Sequence, residues 1–314
     1  MEIRHMSKVL VKTNDLPHED WIRYRKMGIG GSDVGAICGL NPWASAIDVY
    51  MDKLGLKDEK PDNEAMRQGR DLEEYVAWRF EEATGKKVRR RNAILQHDEY
   101  DFMLANIDRE IIGENAGLEC KTASVYATDK WADDKIPPHY ELQCYHYMAV
   151  TGAERWYLCC LILNKSLEIR TIERDAEVIN QLIDIEKAFW TNNILGKVMP
   201  PPDGSKAAGE ILRSIYQDSN PDEVIELTGF DQKLKRYDEI VDLENIIGSE
   251  KEQIKQEIMA IMGEAETAYC KDRRITWKKQ AGRKSIDTKL LKAEKPDIYL
   301  DYLQVSDPIR VFRI

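Results

Sequence analysis

The segment Ala105–Thr122, reading A-N-I-D-R-E-I-I-G-E-N-A-G-L-E-C-K-T, constrains this chain more than any other. Ile107, Ile111, Ile112 and Leu118 give its flanks strand character, and Glu114-Asn115-Ala116-Gly117 has the composition of a turn. Two antiparallel strands joined by a short loop are the expected structure. Side chains two apart in a strand share a face, so Glu119 and Lys121 should project together while Cys120 turns away. With Asp108 across the ladder, two carboxylates and an ammonium would meet at one spot. Paired carboxylates are oxygen ligands for Mg²⁺ or Mn²⁺. A metal held there bridges a phosphate and lowers the pKa of a bound water, with Lys121 placed to orient that water or offset transition-state charge. The same residues also suit a surface hairpin with a solvated Glu–Lys pair, and the segment alone leaves both readings open.

The 314 residues allow one large domain or two smaller ones. No apolar run approaches the roughly 20 residues of a membrane span, and the first residues lack the apolar centre of a secretory signal. Six cysteines (38, 120, 144, 159, 160 and 270) form no C-x-x-C, which argues against disulfide, zinc or iron–sulfur chemistry and for a reducing cytoplasm. A formal charge of −10 weighs against nucleic acid as a partner, but the charge is uneven. Lys86-Lys87-Val88-Arg89-Arg90-Arg91 is a dense basic run, and residues 271 to 289 hold eight Lys or Arg against two Asp. Either run suits a DNA contact or a solvated face.

A helix is expected over residues 18 to 27, followed by G-I-G-G-S-D-V-G-A-I-C-G. No strand is expected before this run and its glycine spacing fails the dinucleotide fingerprint. Ser32 reads instead as the N-cap of a short helix ending at Gly39, a ready anion site on which Arg25 could close, or simply an ordinary capped helix. Amphipathic helices follow over residues 45 to 55 and 64 to 84. Leu72, Val76, Phe80 and Ala83 line one face of the second, with Glu73 at its border and Glu74 pointing into solvent. A loop over Val125 to Ile136 should precede a helix started by Pro137-Pro138 and running to Val150. Gln143 lies on its apolar stripe with Tyr140, Tyr147 and Val150, where a buried amide needs partners, either backbone or the carboxylate cluster. His139 and His146 receive no role. A strand pair turning at Asn164-Lys165, then a helix from 175 to about 195, lead to the Pro/Gly-rich stretch 198 to 204. That stretch divides a core at 1–199 from an extension at 200–314. The extension should hold a helix near 207 to 216, a long one over 231 to 262, a hairpin at 269 to 277, a helix at 287 to 293 and a final strand, P-I-R-V-F-R-I.

Taken together, Arg25 and Ser32 in R-K-M-G-I-G-G-S-D, Glu73 in G-R-D-L-E, Asp108, Glu119-Cys120-Lys121, and Gln143 with Tyr147 in E-L-Q-C-Y-H-Y-M-A-V-T-G resemble the YqaJ-type viral recombinase family. These are relatives of the lambda-phage exonuclease among the PD-(D/E)xK nucleases. The resemblance spans roughly residues 17 to 195, with a weaker match at I-T-W-K and R-V-F-R-I near the end. It implies an α/β (α+β) restriction-endonuclease-like core, a mixed central β-sheet flanked by helices, with a C-terminal helical and β-hairpin subdomain. It further implies Asp108, Glu119 and the Cys120 carbonyl as ligands of Mg²⁺ (or Mn²⁺), with Glu73 serving a second metal through water. Lys121 would position or deprotonate the water, Gln143 would orient it or the phosphate, and Arg25 and Ser32, beside Tyr147, would hold a 5′-phosphate. The first motif reads I-D here, without the proline of the family name.

The implied activity is a double-strand-specific 5′→3′ DNA exonuclease leaving 3′ single-stranded tails. Its implied partners are duplex DNA ends, a single-strand annealing protein and copies of itself in a ring-shaped trimer, with no membrane. An endonuclease of restriction or resolvase type on the same core, a non-catalytic DNA-end-binding protein and a helical scaffold are the alternatives.

Overall fold

In the computed structural model, residues 7–58, 62–306 and 308–314 are described, and the chain divides into two compact units between Tyr216 and Gln217. Residues 59–61, in the charged segment between the helices expected over 45–55 and 64–84, lie outside the described residues.

The first unit begins with β1 (Ser7–Lys12), α1 (His18–Lys26), β2 (Ile29–Gly30) and α2 (Gly31–Ile37). Two expectations change here. Helix α1 precedes the glycine run, as expected, but inside the run Ile29 and Gly30 form an unexpected two-residue strand that pairs in parallel with a later one. The N-cap is Gly30 rather than Ser32, its N–H donating to the Asp33 carboxylate at 2.9 Å. Ser32 sits inside the first turn with its hydroxyl released for another partner.

Next come α3 (Ala46–Lys53), capped by Ser45, and α4 (Glu64–Thr84), which starts on the Asn63 cap and stops at the left-handed Gly85. Gly85 ends the helix because φ of 71° is open to glycine at no steric cost. Val76, Ala77 and Phe80 are the buried face of α4; Ala83 is exposed. Burying Val76 and Phe80 contributes about 1.5–3 kcal/mol each.

Five short strands follow: β3 (Val88–Arg90), β4 (Ala93–His97), β5 (Met103–Ala105), β6 (Arg109–Ile111) and β7 (Ala116–Ala123). The hairpin of β6 and β7 is antiparallel, pairing Arg109 with Leu118 and Glu110 with Gly117. Its turn comes earlier than its composition suggested, because Ala116 and Gly117 already belong to β7. Two 3₁₀ turns occupy the expected loop (Val125–Lys130 and Ala132–Asp134) before α5 (Pro138–Thr151). β8 (Arg155–Ile162) and β9 (Ser166–Glu173) form the second hairpin, and α6 (Ala176–Ala188) runs into a π-helical stretch at Phe189–Leu195. α7 (Lys206–Ile215) belongs to this unit, with Ala208 in the core.

The strands form two sheets, ordered β1-β4-β5-β2 and β3-β6-β7-β8-β9. The second is mixed: β7 runs parallel to β8, the other pairings being antiparallel. Strand alternation gives it two packed faces. Leu118, Tyr157 and Cys159 meet Val76 and Phe80 of α4, while Trp156, Leu158 and Cys160 meet Cys144, Tyr147 and Met148 of α5.

The second unit contains α8 (Asp231–Met262), a hairpin of β10 (Thr267–Cys270) and β11 (Arg273–Thr276), α9 (Thr288–Glu294) and α10 (Pro296–Asp301). The expected final strand does not form; the described residues after 301 are without helix or strand. No helix among the described residues is long and apolar enough to cross a membrane.

Candidate functional site

Asp108 stands one residue before β6, so the register of that ladder carries it opposite Glu119. Its Oδ2 accepts the Cys120 N–H at 2.8 Å. On β7, Glu119 and Lys121 share the face toward α5, as their spacing requires, and Cys120 packs on the α4 side. Lys121 Nζ lies 2.5 Å from Glu119 Oε1 and 4.9 Å from the centre of the Tyr140 ring.

Gln143 completes this face. Its Nε2 donates to Glu119 Oε1 at 2.7 Å and to Tyr147 Oη at 2.9 Å, and Tyr147 Oη donates to the Asn106 carbonyl at 3.2 Å. A carboxylate can only accept, so the Gln143 NH₂ must be the end turned toward it. Of the two partners open to this amide, the carboxylate cluster is the one it has.

The electrostatics are those of two crowded acids. Burial, and then the charge of Glu119, push the Asp108 carboxyl well above the usual carboxylate range against the counter-pull of Lys121. For Lys121, burial works against the ammonium, but the Glu119 and Asp108 carboxylates outweigh it and hold the group charged. Burial and the same two carboxylates push the Tyr147 phenol well above its ordinary range. Glu119 is 3% exposed, and among the described residues its Oε2 is a buried oxygen with no hydrogen-bond partner. One ammonium therefore serves two neighbouring carboxylates and leaves a buried Glu119 oxygen unmet. That donor set fits a hard divalent cation: anionic oxygens from Asp108 and Glu119, with the peptide of Cys120 between them. Among the described residues no group of three or more His, Cys, Asp or Glu side chains is arranged to hold a metal.

Glu73 explains the missing third acid. Its Oε1 is 2.5 Å from Arg109 Nη1, and the same nitrogen donates to the Asp108 carbonyl at 2.8 Å. Arg109 Nη2 reaches Glu74 at 2.9 Å, so Glu74, expected to be merely solvated, is exposed yet paired with both Arg109 and Arg90. Sequence reasoning missed Arg109, whose side chain is 3% exposed. The signal was available, since alternation puts Arg109 on the α4 face next to Glu73 and Glu74 when Asp108 faces α5.

Arg25 and Ser32 also meet, with Arg25 Nη2 donating to Ser32 Oγ at 3.1 Å. The guanidinium lies 4.8 Å from the Trp21 ring centre, and the Arg25 carbonyl accepts from Lys53, which is paired with Asp33 at 2.7 Å. This corner is tied to the carboxylate face through Gly31. A Cβ there would lie 2.6 Å from the Tyr147 ring and 3.0 Å from Gln143 Cγ, so only glycine lets α2 approach α5 this closely.

The two basic runs differ sharply. Lys86 pairs with Glu114, Lys87 with Glu81, Arg89 and Arg91 with Glu110, and Arg90 with Glu74. Every cation of the first run thus has a carboxylate partner within its own unit.

Residues 20–154 match the model of the YqaJ-like viral recombinase domain. The chain is 38% identical over 297 residues to the uncharacterized protein YqaJ of Bacillus subtilis (strain 168), covering 93% of each chain. Its fold is similar to that of LHK-Exo, an alkaline exonuclease from Laribacter hongkongensis. The LHK-Exo structure in complex with dAMP aligns with a TM-score of 0.50 and 20% identity, covering 63% of this chain and 97% of that one. A second LHK-Exo structure gives a TM-score of 0.49 and 19% identity over the same shares. The mixed sheet between α4 and α5 is thus the restriction-endonuclease-like core, and 38% identity to the Bacillus protein over nearly its whole length, together with the domain match, makes this chain a member of the YqaJ-like viral recombinase family.

Proposed function

We propose that this protein is a Mg²⁺-dependent deoxyribonuclease that digests duplex DNA from its ends in the 5′→3′ direction, leaving 3′ single-stranded tails for recombination. The observation that carries this reading is the pairing of half-buried Asp108 with buried Glu119, whose unmet oxygen lies beside the Lys121 ammonium. Family membership and the fold shared with an alkaline exonuclease support it.

Asp108 and Glu119, with the Cys120 carbonyl, would hold the cation; Mn²⁺ would substitute. Bound there, Mg²⁺ supplies positive charge to the phosphate oxygens and acidifies a water. Lys121, kept protonated by its two carboxylates, holds the attacking water by hydrogen bond and offsets charge building on the phosphorane oxygens. Gln143 fixes the Glu119 rotamer and Tyr147 fixes Gln143, so this wall of the site needs no rearrangement when substrate enters. Glu73 acts through Arg109, which clamps the Asp108 backbone; any second metal it serves would be reached through water. Arg25 and Ser32 would take the 5′-phosphate, the guanidinium offering its fork to the anion. A single-strand annealing protein would receive the tails, and a ring of three copies would keep the enzyme on its track.

The test is digestion of 5′-phosphorylated, end-labelled linear duplex with Mg²⁺. Mononucleotide release should fall at least about 100-fold in Lys121→Ala and in Glu119→Gln, and a closed circular duplex should remain intact. Cutting of the circle would replace the exonuclease reading by an endonuclease, and release unaffected by either substitution would remove the site.

A further inference from the structure

The basic stretch in the second unit is the opposite of the first run. Lys271, Arg273, Arg274, Lys278, Lys279, Arg283, Lys284 and Lys289 are all exposed, and among the described residues none has a carboxylate within ion-pair distance. Of the two acids in the stretch, Asp287 is spent capping α9, its Oδ1 accepting the Leu290 N–H at 3.0 Å. Asp272 sits in the hairpin turn next to the left-handed Lys271. In a chain of net charge −10, eight unanswered cations within 19 residues are costly to one another unless an external anion meets them.

The hairpin has a defined outer face. Its register pairs Ala268 with Ile275 and Cys270 with Arg273, and that side lines a groove with Ile247, Ile254 and Ile258 of α8. Tyr269 and Arg274, directly paired, must then face outward. Tyr269 is 70% exposed, and Trp277 just past the strand is 47% exposed. Cations interleaved with open aromatic rings match the two needs of an unpaired nucleic acid strand, whose phosphates seek charge and whose free base faces seek a ring to stack on. A duplex offers the phosphates but keeps its base faces covered.

We infer that the β10–β11 hairpin and the loop behind it, with Arg274, Lys278, Lys279 and Arg283 as the phosphate contacts and Tyr269 as a stacking platform, form a binding surface for single-stranded DNA. This deepens the nuclease reading by naming where the surviving strand is held, and rests on that reading only for the strand's origin.

The test uses the full chain with EDTA present, measuring fluorescence anisotropy of labelled oligo(dT) across a salt series. Wild type should bind with a clear salt dependence. Combining Arg274→Gln, Lys278→Gln, Lys279→Gln and Arg283→Gln should flatten the slope of log K against log salt by roughly 0.7 for each phosphate no longer met by a cation. Tyr269→Ala should weaken binding about tenfold at an unchanged slope, since stacking carries no counterion release. Lys87→Gln with Arg89→Gln should leave the slope as it was. Circular dichroism confirms that each variant remains folded. An unchanged slope and affinity in the four-fold variant would overturn the inference, as would a weakening confined to duplex DNA, or binding of polyglutamate in place of oligo(dT). Nucleotide release by wild type with Mg²⁺ is scored separately. A chain that releases nothing, yet whose strand binding disappears in the four-fold variant, would refute the nuclease reading and keep this surface.

Discussion

At the residue scale, Asp108 is where function and stability pull apart. Its carboxyl is raised by burial and by Glu119, so the folded state favours the protonated form. A group raised in this way stabilises the fold below its unfolded value, near 3.9, and loses that contribution as pH climbs through the raised value. Ionising Asp108 is therefore a cost to the fold, one that a bound cation would offset on the proposed reading. Asp108→Asn keeps an oxygen to accept the Cys120 N–H while removing the repulsion. In EDTA at pH 7.5 this variant should be more stable than wild type by about 0.5–2 kcal/mol, read from thermal melts, while releasing no nucleotide. Mg²⁺ at 100 times its dissociation constant should stabilise wild type by about 2.7 kcal/mol and leave the variant unmoved. A variant that melts lower than wild type in EDTA would show that Asp108 is held by attraction, and the crowded-acid account would fail.

At the scale of elements, a second buried pair fastens α5 to α6 and β5. His146 Nδ1 lies 2.8 Å from Glu186 Oε1, and His146 Nε2 lies 2.8 Å from the Leu104 carbonyl, both side chains being fully buried. Two acceptors face the two ring nitrogens, so the pair needs one proton more than a neutral imidazole and a carboxylate possess. Burial opposes the imidazolium, but Glu186 and the Leu104 carbonyl outweigh it and His146 is raised; burial raises Glu186 as well. Both shifts have the same sign. The His146 contribution is complete below about pH 6.5, its unfolded value, and is lost as pH rises through the raised one. Urea unfolding between pH 6 and 9 should show stability falling by about 1–3 kcal/mol, the cost of one unmade buried hydrogen bond. In Glu186→Gln an amide N–H can donate to a neutral Nδ1, so the decline should largely disappear; a parallel decline in the variant would assign the pH dependence elsewhere.

The same elements show what a single sequence makes legible. α4, α8 and the β8–β9 hairpin were readable because caps, periodicity and turn residues act within a few positions of one another. β1, β4, β5 and the two-residue β2 were not, because each is a strand only by virtue of partners brought from elsewhere: Ser7 pairs with His97, and Ile29 with Met103. R-V-F-R-I has the composition of a strand, but it is paired with no strand among the described residues and so is not one. At the site, spacing alone brought Glu119 and Lys121 together, whereas the Glu73–Arg109 link required knowing which sheet face α4 covers.

For the whole molecule, the division after Tyr216 makes a physical statement about cooperativity. Residues 217–230 are exposed throughout and without helix or strand, lying between α7 and α8. Such a segment adapts readily to the extended conformation a protease needs, whereas a helix must first unwind. Its sequence, Q-D-S-N-P-D-E-V-I-E-L-T-G-F, has no Lys or Arg but contains Glu223 and Glu226. A glutamate-specific protease at low dose should therefore cut first at these two positions, while trypsin finds no target in the segment. The N-terminal product retains Asp108, Glu119, Lys121 and the hydrophobic core around α5, so it should melt cooperatively and still gain stability from Mg²⁺. If the inference about the β10–β11 hairpin is right, the same fragment should lose most of its salt-dependent affinity for oligo(dT), because the cations that meet that strand have left with the other half. Early cutting inside α4 or α8, or a fragment that no longer melts cooperatively, would mean that the two units do not fold independently.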